Sequence, residues 1–326
     1  MGIRWGILGA ATIAKEKVMP AIQKAGGEII AIASKSNNLN EVKEQHKISF
    51  TFDDYEQLLK VEEIEAVYIP LPNSEHFHWV MKSIEYGKHV LVEKPIVLTK
   101  GELLQIKEKA SEKGLFILEA FMYRHHPQIK EAKRLLDEGT IGDIVTVRSQ
   151  FHFELLDWEN DIRVNPSLGG GVLRDIGCYC INIQQLFLEE NVTELQVIHS
   201  KRAALDVHIA ANILYENGVL GIMDCSFYGS FTQNVDIVGT KGTMRLPYAF
   251  RTDLNEHTGV IEIVRGEEME RVYLEGDAYH LQIEHFHHVL LGESESSYAW
   301  NEMLMQMELL EQLQYELERG AGICQK

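Results

Sequence analysis

The stretch Gly6–Ala14 reads GILGAATIA. It continues an apolar run that opens at Ile3 and leads into the amphipathic segment TIAKEKVMPAIQKAGG, which Gly26-Gly27 stops. Set against the template G-x-G-x-x-G, the key positions are Gly9, Ala11 and Ala14. Gly9 makes the tight turn. Ala11 stands where a glycine would let the backbone approach a pyrophosphate, and Ala14 is small enough for helix and strand to pack. Thr12 and Ile13 open the helix, so their N–H groups face a potential anion. Any strand–helix turn could use such residues, so the spacing alone is weak. Its position gives it weight, because it closes the first strand and opens the first helix of a long alternation.

That alternation fills residues 1–122. EIIAIAS is a strand, NNLNEVKEQHK a short helix with an asparagine expected at its cap, and a weak strand follows around Phe50. A helix starts at Asp54, EAVYIPLP is a strand, and Asn73 or Ser74 is expected to cap EHFHWVMKSIEYG. HVLVEKP, KGELLQIKEKASEKG and LFILEAF complete the series. Strands alternating with helices imply right-handed crossovers and a parallel, doubly wound sheet. From residue 123 the texture changes. Long β-rich stretches (DIVTVRSQFHFEL, TELQVIHSKRA, DVHIAANILYENGVLGIMDCSFYG, TQNVDIVGTKGTMRL, GVIEIVRGEEMERVYLEG) are separated by turn signals such as ENG and GTKG. One apolar helix, GVLRDIGCYCINIQQLFL, lies among them, and two helices from about Tyr279 and Trp300 close the chain. The expected architecture is an N-terminal Rossmann-type α/β domain over residues 1–122. An α+β domain with a large, mostly antiparallel sheet follows over 123–326.

Composition narrows the class. The chain has 326 residues, 45% hydrophobic and 25% charged, which suits a two-domain globular protein. The formal charge of −18 repels phosphate backbones, so nucleic acid is an unfavourable partner. No apolar run reaches membrane-spanning length. The first residues show no basic-then-apolar leader, and four irregularly spaced cysteines (Cys178, Cys180, Cys225, Cys324) fit a reducing compartment, so a cytoplasmic location is expected. Cys178 and Cys180 sit about 200° apart on one helix and cannot grip one ion. His280, His285, His287 and His288 share a helix but lack zinc-ligand spacing, so no metal site is expected.

Ligands in open α/β sheets bind at the carboxyl ends of the strands. Where the second strand ends, an NAD site usually carries a carboxylate for the ribose 2′-OH. Here the run is Ser34-Lys35-Ser36, which suits a 2′-phosphate and points to NADP, with NAD as the alternative. Leu71, Asn73 and His76 follow the fourth strand, placed for ribose and nicotinamide. Glu93-Lys94-Pro95 ends the fifth strand with no turn residue; a cis bond before Pro95 would turn the chain sharply there. In the second half, Asp175, Tyr179 and Asn182 fall at i, i+4 and i+7 on the apolar helix and form one polar stripe, which needs partners. The preceding NPSLGGG lets a loop pack tightly against a ligand.

Hydride transfer at a carbinol or carbonyl carbon needs a group that moves a proton on and off oxygen. Bringing a phenol from about 10 to near neutrality takes roughly 4 kcal/mol. One ammonium about 4 Å away supplies about that at an effective dielectric near 20. Lys94 beside Tyr179 would therefore suffice, with Asp175 orienting or balancing the pair.

Four motifs in order, GILGAATIA, EKP, EAFMYRHHPQ and NPSLGGGVLRDIGCYCIN, resemble the glucose–fructose oxidoreductase/inositol dehydrogenase family. The likeness is greatest to the branch with dimeric dihydrodiol dehydrogenase and NADP-dependent D-xylose dehydrogenase. It implies a Rossmann domain followed by an open-faced sheet used for oligomerisation, as a homodimer or homotetramer. It implies a catalytic lysine at Lys94 and an acid/base in the Asp175–Tyr179 stretch. It also implies Glu93, His76, Arg124 and Arg163 near cofactor or substrate. Ala11 departs from the family's middle glycine. The expected activity is NADP(H)-dependent oxidoreduction of a sugar, cyclitol or trans-diol. A dinucleotide-sensing regulator and an NAD-retaining lyase or glycosidase are the alternatives.

Overall fold

A computed structural model describes residues 2–35, 39–319 and 323–324. The chain divides into two compact units, Met1–Met122 with Tyr279–Ala299, and Tyr123–Ala278 with Trp300–Lys326.

The first unit is built on six parallel strands. These are β1 (Arg4–Leu8), β2 (Glu28–Ala33), β3 (Phe50–Phe52), β4 (Ala66–Ile69), β5 (His89–Val92) and β6 (Ile117–Glu119), in the order β3-β2-β1-β4-β5-β6. The order reverses at β1, as a doubly wound dinucleotide-binding sheet requires. Helices α1 (Met19–Lys24), α2 (Asn40–His46), α3 (Tyr55–Leu59), α4 (Asn73–Glu85) and α5 (Lys100–Lys113) form the crossovers. All of β4, and Val90–Val92 of β5, are buried, which is why these strands read as unbroken apolar runs. α5 opens with a reciprocal capping box between Thr99 and Glu102 and ends on Gly114 in the left-handed region. The two expected asparagine caps are not made. Leu39 precedes α2 and Pro72 precedes α4, so Asn40 and Asn73 are each the first helical residue.

Tyr279–Ala299 were expected to stand with the second half, but they pack into the first unit. Phe286 lies 4.8 Å from the Trp5 ring and 5.1 Å from Phe116, and Trp5 Nε1 donates to His287 Nε2 at 3.0 Å. Large buried rings dominate such packing, so sequence distance yields to aromatic contact.

The second unit carries α6 (Pro127–Asp137) and a ten-stranded sheet. The strands are β7 (Ile144–Glu154), β8 (Val192–Arg202), β9 (Leu205–Tyr215), β10 (Leu220–Ser226), β11 (Tyr228–Thr232), β12 (Val235–Gly239), β13 (Thr243–Leu246), β14 (Thr258–Arg265), β15 (Glu268–Glu275) and β16 (Ile323–Cys324). They run β15-β14-β13-β12-β7-β10-β9-β8-β16, with β11 on β7. Pairing is antiparallel except for β7 with β10 and β8 with β16. A π-helical turn, Leu173–Gly177, feeds α7 (Cys178–Leu188), which packs between the sheet and α9 (Trp300–Arg319); α8 (Ala278–Leu290) precedes α9 along the chain and, from Tyr279 on, belongs to the first unit. Polar groups inside this layer bond to one another and to the backbone. Ser149 Oγ donates to the Cys180 carbonyl at 2.9 Å, and Gln184 Nε2 donates to Ser149 Oγ at 2.8 Å and to the Ile222 carbonyl at 3.0 Å. The α7 helix is thereby stitched to β7 and β10.

Candidate active site

In the first unit the site is assembled at the carboxyl ends of the strands. Gly9 leaves β1 with φ at 123°, and a Cβ there would meet Leu71 Cδ2 at 3.0 Å. Only glycine suits that position. Its N–H donates to the Ala33 carbonyl at 2.9 Å, joining the exits of β1 and β2. Ala14 is fully buried, as a close helix–strand approach demands, while Ala11 and Ile13 are half-buried and Thr12 is exposed. The segment Ala14–Val18 is π-helical rather than α-helical. The opening turn of any helix lacks internal acceptors for its N–H groups. A small-residue turn leading into such an opening fits a dinucleotide pyrophosphate.

Beyond β2, Ser34 is buried and its N–H donates to the Phe52 carbonyl at 3.0 Å. Lys35 is exposed, with Nζ 5.1 Å from the Tyr55 ring centre and 5.6 Å from that of Trp79. Trp79 is held in turn by Glu75, which accepts from its indole N–H at 3.1 Å. The ammonium is therefore seated on an aromatic shelf. Ser36 lies outside the described residues.

The Glu93-Lys94-Pro95 segment is braced from three sides. Tyr68, fully buried in β4, donates to Glu93 Oε1 at 2.6 Å. His76 in α4 reaches the Pro95 carbonyl with Nδ1 at 2.8 Å and the Leu71 carbonyl with Nε2 at 2.8 Å. Glu119, ending β6, accepts from the Ile96 N–H at 2.9 Å. The Lys94–Pro95 bond is cis. Both ring nitrogens of His76 are thus engaged by backbone carbonyls. Burial pushes this imidazole down from its ordinary pKa; the two carbonyls act against that and the Lys94 charge adds to it.

In the second unit the expected polar stripe divides. Asp175 lies within the π turn, where the hydrogen-bond ring is wider than in an α-helix, so α-helical spacing fails between it and Tyr179. The Asp175 carboxylate meets Arg163 Nε at 3.1 Å, and Arg163 also reaches Asp161 at 2.9 Å. Tyr179 is buried among rings, with centres 5.5 Å away at Phe250, 5.6 Å at Phe151 and 5.8 Å at Tyr123. Asn182 accepts from the Tyr123 hydroxyl and donates to Gln306 Oε1. Arg124 belongs to the same buried network, pairing with Glu302 and Asn182. A buried guanidinium needs such a carboxylate. Gly170 and Gly171 of NPSLGGG pack closely on the chain itself. Gly171 has φ at 117°, and a Cβ there would strike Asp206 Oδ1 at 2.4 Å.

Three residues of this framework were not singled out from sequence. Tyr68 and Glu119 hold the Lys94 segment. Asp206 accepts from the Leu173 N–H at 2.8 Å and so anchors the helix that carries Asp175 and Tyr179. Glu119 carried a readable signal, because it ends an apolar strand with a carboxylate as Glu93 does. The four histidines near the C-terminus take separate partners. His287 accepts from Trp5, His285 Nε2 accepts from the Ser297 N–H, and His280 meets Glu284 at 3.2 Å.

A doubly wound sheet with a glycine turn after β1 is the frame of a dinucleotide-binding domain. Residues 3–121 match the model of an oxidoreductase family with an NAD-binding Rossmann fold, and residues 129–245 match the GFO/IDH/MocA C-terminal domain. The chain belongs to the Gfo/Idh/MocA oxidoreductase family. It is 30% identical to D-xylose 1-dehydrogenase (NADP(+)) 2 of Haloferax volcanii over 98% of each chain. It is 28% identical to mouse trans-1,2-dihydrobenzene-1,2-diol dehydrogenase, covering 76% of this chain and 75% of that one. Among solved structures, it superposes on a 3-ketoreductase from Actinomadura kijaniata in complex with NADP and TDP-benzene. The TM-score is 0.90, with 28% identity over all of both chains.

Proposed function

We propose that this chain is an NADP(H)-dependent oxidoreductase acting on a carbinol or carbonyl carbon of a sugar, cyclitol or trans-diol. The observation that carries the reading is the bracing of Glu93–Ile96 by Tyr68, His76 and Glu119, which holds the Glu93 side chain before Lys94 and the Pro95–Ile96 backbone after it at the carboxyl end of β5. A structural loop would not need three separate anchors, whereas a catalytic ammonium must be held still. Gly9, Ala11, Thr12 and Ile13 would receive the pyrophosphate, and Ser34 with Lys35 the 2′-phosphate. Leu71, Asn73 and Glu93 would border ribose and nicotinamide. When bound, the nicotinamide supplies or accepts the hydride. Tyr179 takes the hydroxyl proton during oxidation and returns it to the carbonyl oxygen during reduction. Lys94 favours the phenolate, and Asp175, held by Arg163, orients the pair.

The relatives support the substrate class, since two of them are named for NADP-dependent dehydrogenation of D-xylose and for dehydrogenation of a trans-diol. Assembly as a homodimer or homotetramer is proposed through the second unit's sheet, where Ile198 is 73% exposed; light scattering at a single mass of one chain would oppose it. The activity test is absorbance of reduced nicotinamide with aldoses, inositols and trans-diols, each with NADP and NAD. Turnover with NADP that Lys94→Ala and Tyr179→Phe each reduce at least a hundredfold is the expected result. Cofactor binding without turnover on any of these substrates would favour a sensor, and wild-type turnover by Lys94→Ala would remove the mechanism.

A further inference from the structure

His76 is fully buried, and its two nitrogens sit 2.8 Å from two backbone carbonyls on different segments. Leu71 follows β4 and Pro95 follows β5, so one ring spans the exits of two adjacent strands, β4 and β5. A carbonyl oxygen only accepts, so each of these contacts needs an N–H from the ring. The imidazolium donates to both, whereas the neutral ring donates to one and turns a lone pair on the other. The ring with both N–H groups is the link between the two segments, and Lys94 is the residue immediately before one of its anchors. The neighbouring fastenings act elsewhere on the segment. Tyr68 holds the Glu93 side chain, and Glu119 holds the Ile96 N–H. The charged groups that act on the ring are Lys94 and Glu75, of opposite sign.

We propose that His76 is a positioning residue that ties the segment after β4 to the segment after β5 and thereby fixes the direction of the Lys94 side chain, without itself touching substrate or carrying a proton. This rests on Lys94 acting as proposed above. The same tie would set the spacing between Leu71, which leans over the Gly9 turn, and the lysine. Cofactor binding depends chiefly on the turn, and the rate chiefly on the lysine, so the two should respond differently when the tie is cut.

The test uses the full-length protein with His76→Gln and His76→Phe. Glutamine keeps one N–H donor for one carbonyl, and phenylalanine keeps the ring volume with none. The expected result is a kcat lowered about tenfold in His76→Gln and at least a hundredfold in His76→Phe. The NADPH dissociation constant, read by fluorescence, should stay within about threefold. Amide hydrogen exchange is read on peptides covering Lys94–Leu98, and exchange should be at least fivefold faster in both variants. A kcat within twofold of wild type in both variants overturns the proposal, as does a selective loss of NADPH affinity with kcat retained, which would make His76 a cofactor contact. Should the wild type lack turnover, the functional reading fails, while the exchange measurement still decides the tie: unchanged exchange at Lys94–Leu98 overturns it. Should His76→Phe fail to fold, His76→Gln carries the same comparison.

Discussion

Replacing Tyr68 by Phe removes one oxygen from a fully buried side chain and leaves its ring packing intact. What is lost is the 2.6 Å bond to Glu93 Oε1. A hydrogen bond to a charged group contributes about 1.5–3 kcal/mol. Glu93 is only half-buried, so water recovers part of that, and a loss of about 2 kcal/mol is expected. For a unit of this size that corresponds to a fall in Tm of about 4–8 °C. Scanning calorimetry on the wild type, Tyr68→Phe, Glu93→Gln and the double variant measures the bond directly. The pair should show a coupling energy above about 1 kcal/mol, because each single change removes the same contact. Two readings together refute the reasoning: strictly additive losses, and a Tm for Tyr68→Phe within about 1 °C of wild type. Activity adds a second constraint. If the bond steadies the lysine segment, kcat falls in Tyr68→Phe at temperatures well below its Tm.

Phe286→Ala should destabilise the first unit by about 3–5 kcal/mol, since a fully buried ring is deleted between Trp5 and Phe116; urea unfolding followed by tryptophan fluorescence measures it, and a loss under about 1 kcal/mol would contradict the packing. Thr99→Ala removes half of the capping box on α5 and should cost about 1 kcal/mol in the same assay. His208 Nε2 lies 2.8 Å from Asp224 Oδ1, and that bond lifts the imidazole above its ordinary value of 6.5 while burial works against it. Asp224 answers in the opposite sense: burial raises its carboxyl, but His152 and His208 carry it below the usual range. For a histidine drawn upward, the stabilisation is complete below pH 6.5 and is lost as pH rises through the raised value. Both groups are partly exposed, so the effect is about 1 kcal/mol or less and weakens in salt. Tm measured across that range should fall in wild type and stay flatter in Asp224→Asn. Lys35→Ala should raise the KM for NADP at least tenfold while leaving that for NAD within about threefold.

How much of this was legible beforehand follows from the range of the interactions. The parallel sheet of the first unit is written in local periodicity, because each strand buries its own apolar run and each crossover carries its own stops, as Thr99 and Gly114 do for α5. Gly9 was readable for the same reason, since its backbone geometry is a property of one turn. Lys94 was marked by a charged triplet ending an apolar strand. The expected caps, an asparagine for α2 and Asn73 or Ser74 for α4, gave way to Leu39 and Pro72, because helix starts are set by where the chain leaves the sheet as well as by side-chain chemistry.

The sequence by itself determined the order of strands and helices, the dinucleotide turn and the candidacy of Lys94, Asp175 and Tyr179, all of which rest on spacing within a few residues. Only the tertiary structure decided what each polar group faces. It gave His76 two carbonyls, Arg124 the Glu302 carboxylate and Arg163 the Asp175 carboxylate, and it returned Tyr279–Ala299 to the first unit. The physical reason is that a polar atom takes its partner wherever the fold brings one, whether 5 residues away, as Leu71 is from His76, or 178, as Glu302 is from Arg124.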